Sequence, residues 1–438
     1  MLLRDAINKK YICEKYNSTK KYNAFVNWYL ENDEIFESEA KFLFAAKDLY
    51  LIEGKTVTAG SKKLHDFVSP YTSTIIKQLK EAGGVCVGHT NMDEFAMGSS
   101  GKTSAYGITE SIWKKNGEPC SPGGSSSGAA VALTLGLCSV SLGTDTGGSV
   151  RQPACWNGIF GFKPTYGVFS RYGIIPFDSQ LDHPSYFTNT AENAKFIFNL
   201  LAKEDLNDNT SVNYDLHEKE LPNIKRKVAF YTPNGTDDDS KEALELVRQL
   251  LKEENYEIID IDIKLMEYTL NIYYIFNTTQ AFSNLSRYNS ITLSKDNKEF
   301  GEEVKRRMSI GEAMCSISNK EGYYDRAGKL LQQFWEGLEP ILNDVDMIIM
   351  PTASAPMTIA ESLNPDPIKM YQCDMYISFC NLLGIPSMHV PTHLHNNLPT
   401  GVQLVSRPFG DKRILEMAIL LDKHFNFYNK HFKDSSIL

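Results

Sequence analysis

The stretch from Ser121 to Pro153, SPGGSSSGAAVALTLGLCSVSLGTDTGGSVRQP, sets the tightest limit on how this chain can fold. Two Gly/Ser-rich loops flank an apolar run that reads as a buried helix, AAVALTLGL, followed by a strand, SVSLG. Glycine lets the backbone of such loops approach something closely, and loops at the ends of buried elements turn N–H groups and serine hydroxyls toward a cleft. A pair of them can build a nucleophile and an oxyanion hole together.

The rest of the chain supplies the setting. From about Lys41 to Asn199, short apolar runs alternate with Gly/Ser turns and amphipathic stretches, the pattern of a mixed or parallel sheet covered by helices, hence an α/β fold. FLFAA before Lys47 predicts a strand, and STIIKQLKEAG predicts a helix that Ser73 can cap and Gly83 can stop, leading into a buried strand, GVCVG. The polar segment from Leu201 to Arg226 predicts a surface connection. KVAFY, a helix opening in DDDS, and YEIIDIDI read as strand, helix, strand. Leu265 to Leu342 is mostly helical, VDMIIMPTA returns as a strand, and Arg413 to His424 is an amphipathic helix. With 438 residues, 42% of them hydrophobic and 23% charged, one large domain or two intimate ones would fit.

Charge and cysteine usage narrow the function classes. A net charge of -9 argues against a broad nucleic-acid-coating surface. The 8 cysteines form no CxxC pair and no His/Cys cluster of zinc spacing, so reduced, buried thiols are expected and no metal site. No apolar run approaches the roughly eighteen residues that would span a bilayer. The lysine-rich opening, MLLRDAINKKYICEKYNSTKKYNAF, reads as a solvated helix, with a degenerate organellar import segment as the alternative.

Taken singly, the motifs have plain explanations. GGSSSG alone is a linker pattern, and a phosphate loop would want a lysine that is absent. Lys47 alone is a strand-end lysine in an ion pair, Lys305, Arg306 and Arg307 are a solvated helical face, and Asp374 is a helix cap. Together, GGSSSG and GTDTGGS resemble the signature of the amidase signature family. GHTNMDEFAMGSS (Gly88 to Ser100), GIFGFKPTYGVFSRYGIIPF (Gly158 to Phe177), GEEVKRR (Gly301 to Arg307) and LPTGVQLVSRPFGD (Leu398 to Asp411) extend the likeness. Within that family they resemble the branch of A subunits of glutamyl-tRNA(Gln) amidotransferases, over most of the chain from about Phe42 onward.

The resemblance implies a central mixed β-sheet sandwiched by α-helices over residues 41–438, preceded by a short segment, 1–40, that contacts partner subunits. It places the region 265–342 on the substrate side. By the same resemblance Ser149 is the nucleophile, Ser125 the bridging serine held through a cis peptide, and Lys47 the base. The backbone N–H groups of Thr146, Gly147, Gly148 and Ser149 form the oxyanion hole, and Asp145 and Arg151 support the loop. Arg307 meets the α-carboxylate of glutamine, Asp374 its α-ammonium, and Tyr273 adds a contact. A hydroxyl is a weak nucleophile until a neighbour takes its proton, and a lysine with a reference pKa of about 10.4 can do so only if burial disfavours its ammonium form.

Of cofactors, the resemblance implies none bound by this chain. ATP and Mg²⁺ belong to a partner B subunit that activates glutamyl-tRNA and holds the tRNA, and a small third subunit completes the complex. The chain departs from bacterial relatives in its short front, in Ser127 where a glycine is common, and in QLDHPS (Gln180 to Ser185) where SLDQIG is frequent. These reductions resemble the fungal mitochondrial form, which implies the mitochondrial matrix, with a bacterial cytoplasm as the alternative. Rival readings are a stand-alone amidase of small or hydrophobic amides, an inactive scaffold subunit, and a GxSxG nucleophile elbow at Ser126. The elbow needs a strand directly before it, and EPCSPG is none.

Overall fold

Alternation along Phe42–Lys47 shows how the molecule is layered. Phe42, Phe44 and Ala46 enter one buried cluster, while Leu43 and Ala45 enter another on the opposite side. A strand whose successive side chains are all apolar must be covered on both faces, because neighbours along a strand point in opposite directions. The structure, a computed structural model, describes residues 8–30, 40–289, 300–316, 322–363 and 374–432.

The strands are β1 (Phe25–Trp28), β2 (Phe42–Lys47), β3 (Gly84–Thr90), a separate ribbon of β4 (Lys114–Lys115) and β5 (Glu118–Pro119), β6 (Val140–Asp145), β7 (Phe160–Lys163), β8 (His183–Thr188), β9 (Lys227–Phe230), β10 (Glu257–Asp260), β11 (Met347–Pro351), β12 (Ser387–His395) and β13 (Leu398–Val405). Apart from the ribbon they form one 11-stranded sheet in the order β1-β3-β2-β6-β8-β7-β12-β13-β11-β9-β10. β3, β2 and β6 are mutually parallel and so are β11, β9 and β10, with antiparallel pairs between them, so the sheet is mixed.

Helices cover both faces. On one side α2 (Thr74–Glu81), α5 (Ala191–Leu201), α7 (Asp238–Glu253) and the helix Asp411–Phe425 pack Ile76, Phe198, Val247 and Leu415 against Phe44 and Ile349. On the other, Ile12 of α1 (Lys9–Thr19), the whole of α3 (Ser127–Thr134) and Ala154 of α4 (Arg151–Asn157) surround Leu43 and Val87. Each such large apolar side chain, fully buried, contributes about 1.5–3 kcal/mol. The short α6 (Tyr214–Glu218) follows α5, and the region 265–342 folds as α8 (Thr269–Leu285), α9 (Glu302–Ser316) and α10 (Tyr323–Asp344). No helix among the described residues is long and apolar enough to cross a membrane.

Three local expectations change. The sequence reading has no strand before FLFAA, yet β1 pairs antiparallel with β3 at the edge of the sheet. Tyr16 stacks on Trp28 with ring centroids 4.0 Å apart, packing that no local pattern in KYNAFVNW announces. The 201–226 connection is anchored: Asp205 accepts from the Thr74 and Ser170 hydroxyls at 2.5 and 2.6 Å, and Tyr214 lies in the core. At Ser73 the helix starts where expected, but the buried hydroxyl makes no capping hydrogen bond.

Candidate active site

The parallel strands β3, β2 and β6 all end at one edge of the sheet, where the chain turns into loops. Carboxyl ends of parallel strands are where such sheets build clefts. Lys47 is the last residue of β2 and is fully buried. Its Nζ lies 2.8 Å from Ser125 Oγ, 2.9 Å from Ser126 Oγ and 3.0 Å from Thr144 Oγ1. Burial pushes the lysine down to about 7, against the upward pull of the Asp93, Asp182 and Asp145 carboxylates.

The polarity of this cluster can be assigned. Ser126 donates its own proton to the Thr144 carbonyl at 3.3 Å, so it accepts from Lys47. A neutral amine has two N–H bonds and one lone pair; donation to Ser126 and to Thr144 Oγ1 leaves the lone pair for the Ser125 hydroxyl.

The first Gly/Ser loop is braced from behind. The Gly124–Ser125 peptide is cis. Asp93 donates its backbone N–H to Ser125 O at 3.1 Å, while its carboxylate accepts from Gly101 N and from Thr103. A Cβ on Gly124 would fall 2.1 Å from Asp93 Oδ2, so only glycine fits there. Ser126 N–H donates to Ser149 O at 3.3 Å, which joins the two loops side by side.

The second loop wraps around a carboxylate. Asp145 accepts from Gly148 N at 2.8 Å, Val150 N at 3.2 Å and Arg151 N at 3.3 Å. Arg151 grips it through Nη2 at 2.8 Å and Nε at 3.0 Å, and extends to Ile377 O, Gln403 Oε1 and Asn381 Oδ1. Burial alone would raise the Asp145 carboxyl, but the guanidinium holds it well below the usual carboxylate range. The Gly148 N–H, expected among the oxyanion donors, is committed to Asp145, which leaves Thr146, Gly147 and Ser149 of the expected set. Thr146 is itself fixed, its hydroxyl donating to Asp182 Oδ1 at 2.7 Å. Ser149 is half-buried, at the rim of the cleft.

Helices α8 and α9 close the opposite wall. Tyr273 lies against Gly147, where a Cβ would meet its ring at 2.4 Å. Arg307, 6% exposed, is held by Glu303 through Nε at 2.7 Å and faces the Phe177 and Tyr274 rings at 5.8 and 5.5 Å. Burial pushes Asp374 up to about 7, with the Arg307 guanidinium pulling it back down. Residues 370–373, the rest of the MYQCD motif, lie outside the described residues.

Several residues here have roles that the sequence does not assign. Ser126 and Thr144 touch Lys47 directly, and Asp93 and Asp182 hold the loops. Asp178, pushed up to about 7 by burial and by Asp182, keeps Oδ2 buried and unbonded, and Asn277, one helical turn beyond Tyr273, has both side-chain polar atoms in the same condition. Only proximity in the fold assigns these roles. Ser126 is not preceded by a strand, which removes the nucleophile-elbow reading.

Comparison with known proteins gives the family. Residues 42–415 match the Amidase family. The chain is 35% identical to the A subunit of glutamyl-tRNA(Gln) amidotransferase from Legionella pneumophila (strain Paris), across 94% of this chain and 92% of that one. It is 38% identical to the protein of that description from Azorhizobium caulinodans, across 86% and 82%. The crystal structure of the glutamyl-tRNA(Gln) amidotransferase A subunit from Thermotoga maritima superposes with a TM-score of 0.80 at 32% identity, covering 95% of this chain and 90% of that chain. A 6-aminohexanoate cyclic dimer hydrolase shares the fold at a TM-score of 0.85 and 19% identity, covering 98% and 96%.

Proposed function

The chain belongs to the amidase family, and we propose that it is the glutamine-hydrolysing A subunit of a glutamyl-tRNA(Gln) amidotransferase. The observation that carries the reading is the buried amine of Lys47, 2.8 Å from the Ser125 hydroxyl and beside the GTDTGGS loop. In this reading Ser149 Oγ attacks the side-chain carbonyl of glutamine, passing its proton through Ser125 to Lys47. The oxyanion rests on the N–H groups of Thr146, Gly147 and Ser149. Collapse breaks the C–N bond, the relay returns the proton to the departing ammonia, and a glutamyl ester of Ser149 remains. Water, deprotonated by the same relay, releases glutamate.

Substrate choice follows from the charged wall. Arg307 offers a planar fork to the α-carboxylate, Asp374 an anion to the α-ammonium, and Tyr273 fixes the chain between them. An amidase of hydrophobic amides would have no use for that pair, and a scaffold would not need a lysine with its pKa lowered to about 7. The ammonia is used by a B subunit that spends ATP with Mg²⁺ on glutamyl-tRNA and holds the tRNA. A small third subunit covers the front of the chain, and the assembly works in the mitochondrial matrix. The test is glutaminase assay of the chain alone and with its co-purifying subunits, wild type against Ser149→Ala. Glutamate release that vanishes in the variant is expected; undiminished turnover removes Ser149 as the nucleophile.

A further inference from the structure

Away from the cleft, α7 lies against the β12–β13 hairpin, and four side chains meet there. His393 and His395 are two residues apart on β12, so they point to one face. Asn396 and Asn397, with φ of 49° and 62°, form the two-residue turn that returns the chain into β13 and pairs His395 with Leu398. Asp239 and Glu242 are three residues apart on α7 and share the facing side.

Each imidazole turns one nitrogen toward Glu242 and has the other held from outside. His395 Nδ1 is 2.6 Å from Glu242 Oε2, and its Nε2 is 3.1 Å from Asp239 Oδ1. His393 Nε2 is 3.4 Å from the same Glu242 oxygen, and its Nδ1 bonds to Thr392 Oγ1 at 3.0 Å. His393 Nε2 is shielded from water and has only the long 3.4 Å contact with Glu242. A buried nitrogen so loosely held is costly, and a cation in the space it shares with Glu242 would bind it. One ligand atom from each of Glu242, His393 and His395 lies within 4.8 Å of the others.

We propose that His393, His395 and Glu242 bind one zinc ion, with Asp239 and Thr392 orienting the two rings and a fourth position open to solvent. Around tetrahedral zinc with bonds of about 2.0–2.1 Å, neighbouring ligand atoms sit roughly 3.3–3.4 Å apart, the spacing of the Glu242–His393 contact. The Glu242–His395 contact has to open by less than about 1 Å to match. Two imidazoles with one carboxylate suit zinc and exclude the oxygen-seeking magnesium and calcium. A carboxylate or hydroxyl on the outer nitrogen of each ring is the usual support of a metal-bound histidine. Zinc bound by both elements ties α7 to the hairpin. The sequence shows no such motif because His395 and Glu242 are 153 positions apart.

The test is cobalt titration of the full chain as purified, stripped with chelator, with zinc as competitor. One equivalent of cobalt giving visible bands of a tetrahedral centre, displaced by zinc, is expected from the wild type. Affinity should fall at least about tenfold in Asp239→Asn and further in Glu242→Gln and His393→Gln. Glu242 is exposed, so its variant tests the site without disturbing the core. Equal cobalt affinity in wild type and both ligand variants, or no tetrahedral bands at all, would leave only a protonated His395 between two carboxylates and overturn the proposal.

Discussion

Lys47 Nζ and Ser125 Oγ lie 2.8 Å apart with both side chains fully buried. In water such a contact would leave the lysine charged and useless as a base. Here desolvation lowers it to about 7, and the neighbouring hydroxyls are placed so that the lone pair has one destination.

That pKa sets a pH limb. Lys47 accepts a proton only when neutral, so kcat/KM for glutamine should rise as pH increases through about 7 and level off above it. Lys47→Arg, permanently charged, should lose at least about a hundredfold across the range, measured as steady-state glutamate release.

Stability should show the same group with the opposite benefit. Folded Lys47 binds its proton less tightly than an unfolded lysine at about 10.4, so between about pH 7 and pH 10 the unfolded chain holds the extra proton and stability rises with pH. Lys47→Met should therefore unfold at a higher temperature than wild type, by a margin widest at pH 7 and below and narrowing toward pH 10. A margin that stays constant with pH would show that the buried amine is not the cause.

Removing one member of the Asp145–Arg151 pair strands the other. Arg151→Met should destabilise the fold by about 3–5 kcal/mol in urea unfolding, because the Asp145 carboxylate would stay buried without its partner. Asp145→Asn should cost a similar amount, since it leaves the buried Arg151 guanidinium without its counter-charge, and it should lower activity by loosening the loop that carries Ser149.

Two adjacent glycines should respond differently to repair. At Gly147 the three nearest atoms to an added Cβ all belong to Tyr273, the first at 2.4 Å, so Gly147→Ala should lose activity on the order of a hundredfold and Tyr273→Ala should recover part of the loop's stability. Gly148→Ala collides with Ile377 at 2.0 Å and also sits at φ +119°, so Ile377→Ala should restore neither activity nor Tm. Activity and melting temperature of the four variants and two doubles decide between the cases.

The charged wall should act on substrate binding. Arg307→Ala should lower kcat/KM for glutamine about tenfold to a hundredfold, mostly through KM, as expected for a lost charge-assisted hydrogen bond of about 1.5–3 kcal/mol. Hydrolysis of an uncharged amide should change little. Equal loss on both substrates would make Arg307 a structural group held by Glu303 rather than a carboxylate receptor.

From the sequence by itself came the α/β class, the helix and strand between the two Gly/Ser loops, the strand ending in Lys47 and the helices around Arg307, because periodicity and turn residues are local signals. Tertiary structure alone decided which groups touch. Ser126 and Thr144 reach Lys47 only because β2 and β6 are parallel neighbours ending at one edge. Asp145 claims the Gly148 N–H only because the loop closes around it, and β1 joins the sheet only because β3 offers it an edge. Hydrogen-bond partners, desolvation and the resulting pKa values depend on what lies nearby in space, and a linear pattern records none of those neighbours when they are a hundred residues away.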